Sequence, residues 1–133
     1  MTDHILTNLN DTFNSSDSNL GKIEGLRGND TIVVSGELAR QIDGDQGDDR
    51  LRGAEVIFGG DGDDFIGDAQ IAYGLAGDDS FREDVAEAYG GEGDDWFYMW
   101  SGSYADAWKW FRRLLYRGWP PRFGGLGLCR HSA

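Results

Sequence analysis

Five segments of this chain superimpose without gaps, and that repetition restricts the fold more than any other property. They are Gly25–Ile32, Gly44–Leu51, Gly59–Ile66, Gly74–Phe81 and Gly90–Phe97. Each has Gly at its first and fourth positions, Asp at its sixth and a large apolar residue at its eighth. The sixth-position residues, Asp30, Asp49, Asp64, Asp79 and Asp95, are separated by 19, 15, 15 and 16 residues. A degenerate copy, Asn10-Asp11-Thr12-Phe13, puts Asp11 a further 19 residues before Asp30, with Leu9 where Gly is expected. A near-constant period of this length is the mark of a solenoid, whose turns bury their apolar faces only against one another.

The residue types at each position suit one chemistry. Gly permits positive φ and close backbone approach, so a Gly-x-x-Gly loop turns tightly and can aim its carbonyls at one point. Asp adds a hard anionic oxygen on a short stem. Carbonyls and carboxylates, without His or Cys, suit Ca²⁺ and not zinc or copper. The apolar eighth residue, between polar neighbours, suits a short strand with one face inward. A second apolar column stands two residues before each new Gly, at Ile42, Ile57, Ala72 and Ala88. From Ile57 to Ile66 is nine residues and from Ile66 to Ala72 six, so each turn is expected to carry one full loop and one shortened bend. Phe58, Tyr73 and Tyr89 are placed to form an aromatic ladder along the coil.

Charge supports the same conclusion. All 24 acidic residues fall within residues 1–106 beside only six bases, a net −18, whereas residues 107–133 hold six bases and no acid. Such a body repels itself when compact, and high charge with 39% apolar residues ordinarily suggests disorder. Five loops in register argue against a disordered linker; a cation between turns would relieve the repulsion. A calcium-free solenoid built on the same turns is the main competing reading, since Asp favours turns on its own account. The EF-hand requires a Glu at loop position 12 and flanking helices, and neither is present. The acidity argues against nucleic acid as a partner. One Cys excludes an internal disulfide framework. Acid pairs recurring at every turn do not make the single constellation that catalysis needs, and His4 and His131 stand near the ends, so no enzymatic activity is expected.

With those residues in place, the chain resembles the RTX, or haemolysin-type, calcium-binding repeat, Gly-Gly-x-Gly-x-Asp-x-U-x with U large and apolar. The resemblance covers residues 25–98. It implies an all-β fold, a right-handed parallel β-roll, here with about 15–19 residues per turn. It also implies Ca²⁺ between loops of stacked turns, held by Asp30, Asp49, Asp64, Asp79 and Asp95 with carbonyls around Gly28, Gly47, Gly62, Gly77 and Gly93. The fifth-position residues, Asn29, Asp48, Asp63, Asp78 and Asp94, are expected to offer carbonyls and outward charge. Gly is absent from the second position of three copies, at Leu26, Asp45 and Leu75. Extracellular calcium modules bind at about 10⁻⁴–10⁻³ M. At tenfold excess each site would add about 1.4 kcal/mol, and roughly four such sites would rival the stability of a small domain, so folding is expected to be coupled to calcium.

The chain thus divides into residues 1–24 with the degenerate repeat, a calcium-binding coil at 25–98 and a basic, aromatic tail at 99–133. Residues 104–117 can be read as an amphipathic helix with Asp106, Lys109, Arg113 and Arg117 on one side, ended by Gly118 and Pro120-Pro121. Such a helix would cap the roll or lie on a membrane surface. A third reading takes the tail as translated out of frame. The resemblance implies a bacterial protein secreted by type I machinery, and Met1–His4 lacks the start of a cleavable signal peptide. The alternatives are an adhesin or surface-structural module, and a membrane-active protein working through the tail.

Overall fold

A computed structural model describes residues 1–82, 84–100, 104–108, 113–117, 122–123 and 130–132, with side chains up to Tyr98. The architecture is all-β: a solenoid of about six turns in which every strand pairing is parallel. The first coils comprise β1 (Thr2–Ile5), β2 (Thr12–Ser15), β3 (Leu20–Glu24), β4 (Thr31–Val34) and β5 (Ala39–Gln46). The middle coils are made by β6 (Arg50–Asp61) and β7 (Phe65–Ala76), then β8 (Ser80–Phe81), β9 (Val85–Glu92) and β10 (Trp96–Trp100).

Register follows the repeat. Between β6 and β7, Leu51 pairs with Ile66, Ala54 with Ala69, Ile57 with Ala72 and Phe58 with Tyr73. Side chains alternate inward and outward along each strand, and the inward set builds three apolar columns. One is the eighth-position series Ile32, Leu51, Ile66, Phe81 and Phe97, every member fully buried. The second, also fully buried, runs Ile23, Ile42, Ile57, Ala72 and Ala88, the column expected two residues before each loop. The third, Ala39, Ala54, Ala69 and Val85, lies just past the far bend. The first two columns differ in volume from turn to turn: Leu51 shares its turn with Ile57, Ile66 with Ala72 and Phe81 with Ala88. Phe81 brings the larger ring where its companion is Ala, and a close-packed interior tolerates little added volume there.

The change in period is confined to the far bend. Leu51 to Ala54 is three residues, as is Ile66 to Ala69, but Ile32 to Ala39 is seven. The four added residues of the 19-residue turn therefore lie at Ser35–Leu38, leaving the Gly-Asp loop unaltered. The expected shape, one full loop and one short bend, is present. The aromatic ladder is present too: Phe58 stacks on Tyr73 and Tyr73 on Tyr89, with centroids 5.1 Å apart in both pairs. Inside, Phe81 stacks on Phe97 at 4.9 Å.

The degenerate first copy joins the coil: Phe13 pairs with Ile32 and packs against the core. The helix expected over 104–117 is not formed. Its described residues are strands, β11 (Tyr104–Trp108) and β12 (Arg113–Arg117), which pair in parallel with β9 and β10. Exposed strand edges left by β9 and β10 are templates for further parallel pairing, and in-register pairing of Ala105 with Ala88 and Leu114 with Phe97 satisfies them. The third reading of the tail concerns a coding frame and lies outside what these strands address.

Candidate metal centre

The sixth position of each repeat is where a charged residue enters the interior. Asp30, Asp49, Asp64, Asp79 and Asp95 are 1–2% exposed, the only buried charged side chains among the described residues. The loop forces this placement. Asp stands two residues before the inward apolar residue, so strand alternation points it to the same side. The two carboxylate oxygens then have different fates. Each Oδ1 accepts the backbone N–H of the Asp one turn earlier: Asp30 N to Asp49 Oδ1 at 2.8 Å, Asp49 N to Asp64 at 2.8 Å, Asp64 N to Asp79 at 2.9 Å and Asp79 N to Asp95 at 3.0 Å. Each Oδ2 is fully buried and has no hydrogen-bond partner among the described residues.

The orphaned oxygens share their space with backbone carbonyls. A Cβ added to Gly25 would stand 2.5 Å from Asp30 Oδ2 and 2.8 Å from the Gly44 carbonyl. At Gly59 the same position is bounded by Asp64 Oδ2 and by the Gly74 carbonyl at 2.9 Å, and at Gly74 by Asp79 Oδ2 and the Gly90 carbonyl at 2.6 Å. The first-position Gly thus leaves room that two acceptor oxygens from successive turns both border, and the carboxylate one has no donor among the described residues. Two acceptors in that arrangement need a proton or a cation.

Burial pushes all five carboxyls upward. Asp64 and Asp79 are raised from 3.8 to about 8, chiefly by desolvation; the hydrogen bond to Oδ1 opposes this and neighbouring carboxylates add to it. Asp49 and Asp95 rise to about 6 from the same leading cause, and Asp30 rises as well. Repulsion along the column is of the same order as folding stability itself. Adjacent turns lie about 4.8 Å apart, so each ionised pair costs about 3–4 kcal/mol at an effective dielectric of about 20. Four such pairs would offset most of the 5–15 kcal/mol typical of a domain.

The fifth-position residues form a second ladder of opposite polarity. Asn29 Oδ1 accepts from Asp48 N at 2.9 Å, Asp48 Oδ1 from Asp63 N at 2.8 Å and Asp63 Oδ1 from Asp78 N at 2.9 Å. These side chains face solvent, as expected, but their oxygens clamp the next turn in addition to bearing charge. The carbonyls of Gly28, Gly47 and Gly62 lie against the α-carbons of Gly47, Gly62 and Gly77, and that of Gly77 against Gly93. The carbonyls beside the orphaned oxygens belong instead to Gly44, Gly59, Gly74 and Gly90. Sequence reasoning passed over this first position as a ligand source, although Gly occupies it in all five repeats while the second position varies. Asp11 differs from the rest of the column: its Oδ2 accepts both the N–H and the hydroxyl of Thr7, each at 2.7 Å. The orphaned series therefore begins at Asp30.

The chain matches no protein-family model, and neither a curated protein nor a solved structure is similar enough to count as a match.

Proposed function

We propose that this protein binds Ca²⁺ along one edge of the solenoid and that binding completes its folding, in the manner of the RTX repeats it resembles. The observation that carries this reading is the set of five buried, unpartnered Oδ2 atoms, four of them beside a carbonyl oxygen of the following turn. All-oxygen donors of this kind are what a hard divalent cation selects. Asp30, Asp49, Asp64, Asp79 and Asp95 would hold the ions together with first-position carbonyls, and each bound ion would remove part of the repulsion between turns. Four near-equivalent sites, repeated at successive turns, suit a binding module and not a catalyst. By the same resemblance, the chain would be a module of a secreted bacterial protein.

The competing occupant is a proton, because carboxyls raised to about 8 hold one at neutral pH. Far-ultraviolet circular dichroism in EDTA and then in millimolar Ca²⁺, with calorimetric titration at pH 8, separates the two. A gain of β-signal with several ions bound supports calcium. Identical spectra without heat of binding refute it and leave the proton.

A further inference from the structure

The first turn keeps the aspartate of the repeat but not the room beside it. Asp11 takes its place in the ladder: its N–H donates to Asp30 Oδ1 at 2.8 Å, as the Asp30 N–H does to Asp49. Five residues before Asp11, where Gly25 stands before Asp30, the chain has Leu6. Register makes the two positions equivalent. Ile5 pairs with Glu24, and the Leu6 N–H donates to the Glu24 carbonyl as the Gly25 N–H does to that of Asp43. At Gly25 a single added Cβ would stand 2.5 Å from Asp30 Oδ2 and 2.8 Å from the Gly44 carbonyl. Leu6 brings a full isobutyl group to the corresponding place and packs it against the core. The Asp11 carboxylate is satisfied elsewhere. Thr7, the second-position residue, gives Oδ2 both its N–H and its hydroxyl, each at 2.7 Å. The later copies carry Leu26, Asp45, Gly60, Leu75 and Gly91 at that position, none with a hydroxyl, and the matching Oδ2 atoms are orphaned.

We infer that Leu6 and Thr7 set the end of the ion column: they decide that no cation is held between the first and second turns. The inference rests on the calcium reading above. Two requirements for an ion are removed together. Leu6 takes the space in which carboxylate and carbonyl oxygens of successive turns would meet the cation, and Ca²⁺ needs about six to eight oxygens around it. Thr7 supplies the donors that stand in for the ion, so the Asp11 carboxylate has no unmet oxygen to draw one in. Contact between the first two turns therefore needs no calcium. The first ion belongs between the second and third turns, at Asp30 Oδ2 and the Gly44 carbonyl. Leu6 and Thr7 thereby act as occupancy-determining residues at a position whose aspartate alone suggests another site.

The test counts ions on the full chain by equilibrium dialysis against a range of radiolabelled Ca²⁺ concentrations. Asp11→Asn is expected to leave the count and the affinities unchanged. Asp30→Asn is expected to weaken one ion about tenfold, the worth of a charge-assisted contact. Leu6→Gly combined with Thr7→Gly recreates the Gly-Gly start of the copies at Gly59 and Gly90. That pair is expected to bind one ion more than wild type, and adding Asp11→Asn should abolish the gain. Circular dichroism in calcium checks that each variant keeps the β-signal. Where wild type takes up calcium, the inference alone is overturned if Asp11→Asn weakens an ion, if Asp30→Asn is as silent as Asp11→Asn, or if the folded double-glycine variant gains no ion. Should that variant not fold, the comparison of Asp11→Asn with Asp30→Asn decides. A wild-type chain that takes up no calcium overturns the calcium reading, and this inference falls with it.

Discussion

Asp64→Asn separates the ion from the fold. The amide keeps an acceptor for the Asp49 N–H, which now lies 2.8 Å from Asp64 Oδ1. It places an NH₂ where Oδ2 stands, beside the Gly74 carbonyl, so that an acceptor pair becomes a donor and an acceptor. The magnitude follows from the proton that the wild-type folded chain must take up when no ion is present. With the carboxyl raised from 3.8 to about 8, protonation at pH 7 costs at most about 4 kcal/mol, at about 1.4 kcal/mol per pH unit. Allowing for partial screening and relaxation, Asp64→Asn should stabilise the EDTA-treated chain by about 2–4 kcal/mol. The same change removes an anionic ligand, so the increment that calcium adds should shrink by about 1.4 kcal/mol or more. Urea unfolding of wild type and variant, each with EDTA and with Ca²⁺, reads both quantities. A variant that is less stable in EDTA, with an undiminished calcium increment, would refute the reasoning about the orphaned oxygen.

Other expectations follow from the same geometry. Between about pH 4 and pH 8 the folded chain holds protons on Asp64 and Asp79 that the unfolded chain has released, so stability in EDTA should fall as pH rises through that window, whereas calcium affinity should rise; parallel melts at pH 5 and pH 8 check the sign. Gly74→Ala puts a methyl group against Asp79 Oδ2 and the Gly90 carbonyl, and should abolish one calorimetric site while leaving the others titratable. Leu75 has φ +78 and is 44% exposed, in the second-position slot that Gly60 and Gly91 fill at +106 and +89; Leu75→Gly should raise the urea midpoint, by about 0.5–1 kcal/mol of stability. Ala88→Ile should destabilise by about 1–3 kcal/mol by overfilling the turn that holds Phe81, and combining it with Phe81→Leu should recover part of that loss in a double-mutant cycle.

The repeat by itself determined the parallel coil, the two apolar columns, the aromatic ladder and the aspartate series. Each follows from spacing along the chain, and in a solenoid spacing becomes position, because every turn meets only its neighbours. The missing second-position Gly did not break the pattern: Leu26, Asp45 and Leu75 take the same left-handed backbone, with φ between 71 and 78. What local spacing could not decide was which oxygen faces which partner. The split between a satisfied Oδ1 and an orphaned Oδ2, the carbonyls of Gly44, Gly59, Gly74 and Gly90 beside the latter, and the capture of Asp11 by Thr7 depend on how one turn sits on the next. The tail shows the same division. Residues 104–117 carry a helical pattern of their own, yet their described segments are strands because the coil offers paired edges that an isolated stretch does not possess. Local sequence encodes turns and alternation, whereas contacts between turns, which join residues 15–19 apart, exist only once the coil has closed on itself.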